Sequence, residues 1–379
     1  MHSLALLLFA AAFAHTIASL FRVSSVPIFI ISGILLKVSG LLPSDEELRH
    51  TLLLGLTFLV FIAGTELNPN RIGKQFPTAI KVGVLQFFCL GISSYAIAYL
   101  SGLGLLPSLY LGLAIAASST LVIVRVLQQR RQIFEPFGRL VLGVLLVQDT
   151  IAIAFIALLS ADNFQANEIL INIASLSGLV ILSLYFQKKI APYLFVSLKL
   201  DEETLLLVSL ATLFSFSFLA NLSGQPFVVG AFLAGFALSA FPIHGIVQSQ
   251  LLSLSDFFVA IFFVALGTSL TLITSSALVL ALIMIVLVIT LTPLLVVLIA
   301  ERARLSTRGA FEAGLLLAQT SEFSLIIGLI GFEAGHIDEQ LLSLIALVTV
   351  TTMILTPLLA TNNVTWRLTR IRPYPHFNA

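Results

Sequence analysis

The sequence predicts an all-α polytopic membrane protein with thirteen transmembrane helices, an inverted repeat and two discontinuous crossing helices. Three observations predict it. The chain is 59% hydrophobic and only 10% charged, with a mean hydropathy of +1.10; a soluble domain carries about 25% charged residues. The basic residues gather in alternate loops. Small and polar residues recur in register at a spacing near 202 residues.

The apolar spans run approximately 4–21, 24–38, 51–67, 78–100, 106–128, 138–160, 168–187, 202–220, 225–241, 252–270, 274–300, 309–334 and 340–360. Each is read as crossing the about 30 Å of hydrocarbon in a bilayer, the second and ninth being short. The first has no basic segment before it, only His2, and further spans follow at once, so it reads as a retained helix rather than a cleaved leader. The one cysteine, Cys89, lies within a span and excludes an intrachain disulfide.

Charge placement gives the orientation. Odd-numbered loops, their flanking helix ends and the C-terminal tail hold 17 of the 19 basic residues, and the even loops hold only Lys37 and Arg49. The positive-inside rule puts the odd loops in the cytoplasm, with the N-terminus outside and the C-terminus inside. A missed helix would scramble this alternation.

The repeat pairs Gly33 with Gly235, Gly64 with Gly267 and Ser119 with Ser321, at offsets of 202, 203 and 202. Paired spans are an odd number of helices apart, so the copies have opposite orientations. Units of about 24–160 and 225–360 are expected within a single membrane domain, 1–379. Inverted repeats place a binding site near the midplane, where they meet.

Asp149 is the most informative residue. It is stranded in the apolar run 141–155, where an ionised carboxylate costs about 2.5–3.5 kcal/mol even on lenient insertion scales. Such a residue is kept where it faces a wet cavity, which makes Asp149, with Gln148, an ion or proton site. Its repeat position falls at Thr351, so one copy carries an acid and the other a hydroxyl. Mid-span patches at Ser118, Ser119 and Thr120 and at Gln319, Thr320, Ser321 and Glu322 occupy equivalent positions. These side chains can satisfy backbone groups freed by a helix break, and opposed half-helix ends attract ions. The hydroxyls serve equally as interhelical glue. Glu322, a mid-membrane acid, reads as functional or as balancing a helix-end dipole.

Other charges carry less. Arg125 sits near the cytoplasmic end of its span and can snorkel. Glu66 and Asp256 lie near cytoplasmic ends, where Asp256 guards an entry funnel or caps a helix, and Glu312 is placed to pair with Arg308 one turn away. No nucleophile motif, metal-ligand cluster or phosphate loop occurs, so the chain does not read as an enzyme. Its net charge of +1 offers nothing to nucleic acid.

Residues 117–127, 138–143 and Gln148-Asp149, with 64–67, 230–235, Phe262-Phe263, Gly267 and 319–324, resemble in the same order the motifs of the monovalent cation:proton antiporters, specifically the Kef-type and related sodium–proton exchanger branch. The resemblance covers essentially the whole chain. It implies thirteen helices, a dimerisation domain and hence a homodimer, a mobile core domain with elevator-type alternating access, and Asp149 as the shared carboxylate for cation and proton. Two departures matter. Many relatives have Asn-Asp or Asp-Asp where this chain has Gln148-Asp149, and many have a mid-membrane lysine in the eleventh span, where Thr292 stands nearest. One carboxylate without that lysine favours electroneutral exchange. Kef-type systems often continue into a cytosolic nucleotide-binding domain; this chain ends soon after Pro375, so control of that kind is expected from a separate cytosolic subunit.

The sequence therefore leads to a secondary-active antiporter of the bacterial inner membrane, exchanging Na+ or K+ for H+ with no cofactor beyond the transported ions. The competing readings are a ligand-gated K+ efflux channel, a sodium-coupled organic solute symporter and a non-transporting cation sensor.

Overall fold

The computed structural model describes residues 2–21, 25–40, 45–66, 73–133, 135–159, 166–194, 201–239, 245–303 and 305–360. All regular structure among them is helical. In chain order the α-helices are α1 (His2–Phe21), α2 (Ser25–Val38), α3 (Asp45–Thr65), α4 (Phe76–Leu100), α5 (Leu105–Ala116), α6 (Thr120–Gln129), α7 (Pro136–Leu159), α8 (Ala166–Tyr185), α9 (Glu202–Leu222), α10 (Phe227–Ser239), α11 (Gly245–Ser269), α12 (Ser275–Arg302), α13 (Thr307–Leu317), α14 (Glu322–Glu333) and α15 (Glu339–Leu359). A π-helical turn, Phe186–Ile190, extends α8.

Among the described residues, eight segments are long and apolar enough to cross a membrane, including Thr307–Glu333 taken as one. Five shorter apolar helices, Ala5–Phe21, Ser25–Val38, His50–Thr65, Leu105–Ala116 and Phe227–Ser239, fall below that length. Two apolar spans of the sequence are each divided: 106–128 into α5 and α6, and 309–334 into α13 and α14. The protein is an integral, multi-pass membrane protein. Burial is uneven across it. The apolar window within 307–333 is 89% buried, whereas that of 170–190 is 11% buried, so the divided helix is interior and α8 is peripheral.

Main-chain packing resolves two compact units, residues 1–68 with 149–270 and residues 69–148 with 271–379; the division falls inside α7, between Gln148 and Asp149. In the first unit α3 packs on α10 and α11, and α2 on α11. Glycines set those contacts. A Cβ on Gly33 would lie 2.1 Å from the Val264 carbonyl oxygen and 2.8 Å from Gly267 Cα; one on Gly64 would lie 2.3 Å from the Phe232 carbonyl oxygen and 3.0 Å from Gly235 Cα. Small residues let membrane helices approach until their backbones touch. The four glycines picked out by their spacing in the sequence thus meet crosswise, Gly33 with Gly267 and Gly64 with Gly235. α10, hydrophobic all round, is buried on almost every side, the arrangement expected of an apolar helix without a polar face.

In the second unit α4 packs on α5 and α12, α13 on α12 and α15, and α14 on α5 and α15. An apolar core of Ile123, Leu127, Leu140, Val144, Leu316 and their neighbours fills it. α6 ends in a Schellman turn, Gln132 N–H donating to the Leu127 carbonyl at 2.9 Å. Arg131 sits at its left-handed position with φ 56°. The neighbouring Arg130 donates to the carbonyl of Ala360, at the end of α15, at 2.6 Å.

Gly64→Ala and Gly267→Ala are expected to lower stability by about 1–3 kcal/mol through forced backbone displacement. Gly178→Ala, whose Cβ meets nothing within 4 Å, is expected to be neutral or slightly stabilising. Thermal melting of the purified protein in detergent checks both; equal melting temperatures for the three variants would contradict the packing argument.

Candidate functional site

α5 stops at Ala116 without a proline or glycine, and Ala117 is extended (φ −94°, ψ 148°). In an unbroken helix the Ser118 N–H would donate to the Ala114 carbonyl. Both ends of that bond are taken by side chains. Ser118 N–H donates to Gln148 Oε1 of α7 at 3.0 Å, and the Ala114 carbonyl accepts from Ser324 Oγ of α14. The chain resumes at Ser119, whose hydroxyl accepts from Val122 N–H at 3.3 Å and caps α6.

The second break follows the same logic. Thr320 N–H, which would pair with the Leu316 carbonyl, donates to Thr352 Oγ1 of α15 at 3.1 Å. Leu316 accepts instead from Gln319 Nε2 at 3.4 Å. Ser321 N–H turns to Ser324 Oγ at 3.1 Å, completing a capping box at the start of α14. Thr356 Oγ1 donates to the Ala318 carbonyl at 2.9 Å, and Thr320 Oγ1 donates to Thr349 Oγ1 at 3.1 Å. The breaks are also stitched to each other: Ser118 Oγ donates to the Leu317 carbonyl at 2.8 Å, in return for the Ser324–Ala114 bond.

Two half-helices therefore end, and two begin, at one place in the second unit. Half-helix C-termini carry partial negative charge and N-termini partial positive charge. Glu322, 2% exposed, lies in the first turn of α14, where a carboxylate complements that positive end. The first turn of α6 has no acid. Such an arrangement draws a cation to terminal carbonyls and an anion to terminal amides.

Among the residues singled out by the sequence, Ser118 is joined directly to Gln148 and, through the Leu317 carbonyl, to Gln319. Thr320 bonds instead to Thr349 and Thr352, and Ser321 to Ser324. Ser119 and Thr120 begin α6. Asp149 follows Gln148 on α7 and is 3% exposed. The others are described singly. Thr292 is buried on α12 beside Pro293, its hydroxyl without a hydrogen-bond partner among the described residues. Thr351 is half-buried, and the α15 hydroxyls that bond to the break are Thr349, Thr352 and Thr356. Asp256 is exposed and lies well inside α11, which starts at Gly245, so it does not cap that helix. Glu312 has an ion pair with Arg130, the residue that follows α6, at 3.8 Å. The Arg125 side chain lies outside the described residues.

Sequence reasoning gave no role to Gln86, to Ser324 or to Thr349, Thr352 and Thr356 of α15. Gln86 is a lone amide on apolar α4, fully buried, donating to Ser118 Oγ at 3.3 Å. Thr349, Thr352 and Thr356 recur at i, i+3 and i+7, the spacing of one helix face. That periodicity was the available signal.

The family model described as "Sodium/hydrogen exchanger, transmembrane" matches residues 4–361. The high-affinity Na(+)/H(+) antiporter NhaS3 of Synechocystis sp. is 30% identical over 224 residues, 56% of this chain and 48% of that protein. The glutathione-regulated potassium-efflux system protein KefC of Enterobacter sp. (strain 638) is 26% identical over 364 residues, 92% of this chain and 58% of its own length. The chain thus spans about half the length of these two relatives. The solved structure of the sodium proton antiporter MjNhaP1 from Methanocaldococcus jannaschii superposes with a TM-score of 0.72 at 17% identity, covering 96% of this chain and 97% of that one, a likeness of fold. With the family model spanning nearly its whole length, the chain belongs to the sodium/hydrogen exchanger family.

Proposed function

We propose that the protein is a secondary-active antiporter exchanging a monovalent cation, Na+ or K+, for H+ on the carboxylate of Asp149. The observation that carries this reading is Asp149 itself, a buried acid on a membrane-spanning helix, one residue beyond the amide that holds the first helix break. A carboxylate on a membrane-spanning helix can take up either a proton or a cation. The two ligands compete, and exchange follows if only the neutralised form changes access. The names of NhaS3 and KefC, a sodium–proton antiporter and a potassium-efflux protein, support both cations as substrates.

Thirteen crossings in an inverted repeat, elevator-type alternating access and a homodimer complete the proposal. The crosswise glycine contacts support the repeat: a two-fold operation taking α2 to α10 and α3 to α11 exchanges the Gly33–Gly267 pair with the Gly64–Gly235 pair. Electroneutral exchange is supported by the lack of any charged residue between 275 and 300. The bacterial inner membrane, with the N-terminus outside and the C-terminus in the cytoplasm, fits the distribution of basic residues.

Asp149→Asn is expected to abolish exchange while leaving a folded protein. Dequenching of a pH-sensitive dye in proteoliposomes, with lithium, sodium, potassium or rubidium added at several pH values, checks this; full cation-dependent proton flux from the variant would remove the mechanism. Thr352→Val preserves shape but leaves Thr320 N–H without its acceptor, a cost of about 1–3 kcal/mol. Its melting temperature is expected to fall, with slower exchange. Thr290→Val, at an exposed hydroxyl bonded only within its own helix, is expected to match the unaltered protein in both assays.

A further inference from the structure

The hydrogen bonds around Ser118 fix the orientation of two amides, and that orientation separates an ion ligand from a structural prop. Ser118 Oγ gives its single proton to the Leu317 carbonyl, which has none to give back. The hydroxyl therefore has only lone pairs for Gln86, and Gln86 must turn its Nε2 toward it, as observed at 3.3 Å. Its Oε1 is left on the other side of the planar amide, buried and without a hydrogen-bond partner among the described residues. Gln148 is constrained in the opposite sense. The Ser118 N–H can only donate, so Gln148 must present Oε1 to it, and Nε2 is the atom left open.

The two open groups have opposite chemistry. An amide oxygen is a neutral hard ligand of the kind that replaces a cation's hydration shell; an amide NH2 only donates and repels a cation. We infer that Gln86 supplies a neutral oxygen ligand to a desolvated monovalent cation at the first helix break, whereas Gln148 is a positioning residue that holds the break and does not coordinate. The inference rests on the proposed cation transport.

The surroundings fit. α4 reaches the end of α5 closely enough that a Cβ on Gly91 would lie 3.4 Å from Ala116 Cβ, and Gly112 approaches the Gly91 carbonyl in the same way. The Gln86 amide, bonded to Ser118 two residues past the end of α5, is therefore close to a helix C-terminus, where partial negative charge collects. Gln319 repeats the pattern at the second break. Its Nε2 is spent on the Leu316 carbonyl and its Oε1 is buried and open.

The test compares the full chain with Gln86→Met, which keeps the length of the side chain and removes its oxygen, and with Gln86→Glu and Gln148→Met. Exchange is followed in proteoliposomes across lithium, sodium, potassium and rubidium, and cation binding by calorimetry in nanodiscs. Gln86→Met is expected to raise the half-saturating cation concentration at least tenfold and to alter the order of preference among the four ions, with the rate at saturating cation within about twofold of the unaltered protein. Gln148→Met is expected to slow exchange and lower the melting temperature without altering the order of preference. An unchanged half-saturation and ion order in Gln86→Met would overturn the inference, leaving that oxygen a site for structural water. Should Gln86→Met fail to fold, Gln86→Glu decides: an unaltered cation dependence overturns the ligand role, and tighter binding supports it. If the unaltered protein neither binds nor exchanges any of the four cations, the proposed function falls with the inference; if it does both and Gln86→Met matches it, the ligand role alone falls.

Discussion

The second unit is organised by one constraint: a main-chain group freed inside a membrane must find a partner within the protein. Two helices stop in mid-course, and each missing helical hydrogen bond is replaced at both of its ends. At the first break Gln148 takes the Ser118 N–H and Ser324 takes the Ala114 carbonyl. At the second, Thr352 takes the Thr320 N–H and Gln319 takes the Leu316 carbonyl. Neither break contains a proline or glycine. The side chains of neighbouring helices, rather than a local breaker, hold these helices open, and removing one of them leaves a buried donor or acceptor exposed to apolar surroundings.

This explains why α7 and α15, each following a divided helix, carry polar groups at depth. Both present a side-chain oxygen to a break, an amide in one case and hydroxyls in the other. The two helices differ in one respect. α7 continues into Asp149, whereas α15 carries Thr351 and Thr352 at the corresponding place. In the proposed exchanger that single carboxylate is the group shared by cation and proton.

Much of this was legible in the sequence. The composition, the alternation of basic loops and the apolar spans led to a polytopic helical protein, and the patches at Ser118-Ser119 and 319–322 marked where helices are divided. The repeat glycines marked close backbone approaches. What escaped was the partner of each polar group, because hydrogen bonds between helices join residues such as Gln86 and Ser118, or Ser324 and Ala114, whose spacing in sequence follows no local period. Thr351 is the position equivalent to Asp149 by offset. The α15 hydroxyls that bond to the second break are those of Thr349, Thr352 and Thr356, which share one side of the helix because residues three, four or seven apart do so. Gln148, read as an ion ligand from its place beside Asp149, spends its only oxygen on the main chain.

The central claim is that proton and cation compete for one carboxylate. Its most direct measurement is the number of protons released when the purified protein binds sodium or potassium, obtained by calorimetry in buffers of different ionisation enthalpy near the midpoint of the pH response. A release that tends to one proton per bound cation as pH falls, and vanishes at high pH where the carboxylate is already ionised, is the predicted result. Cation binding with no proton release at any pH would contradict it.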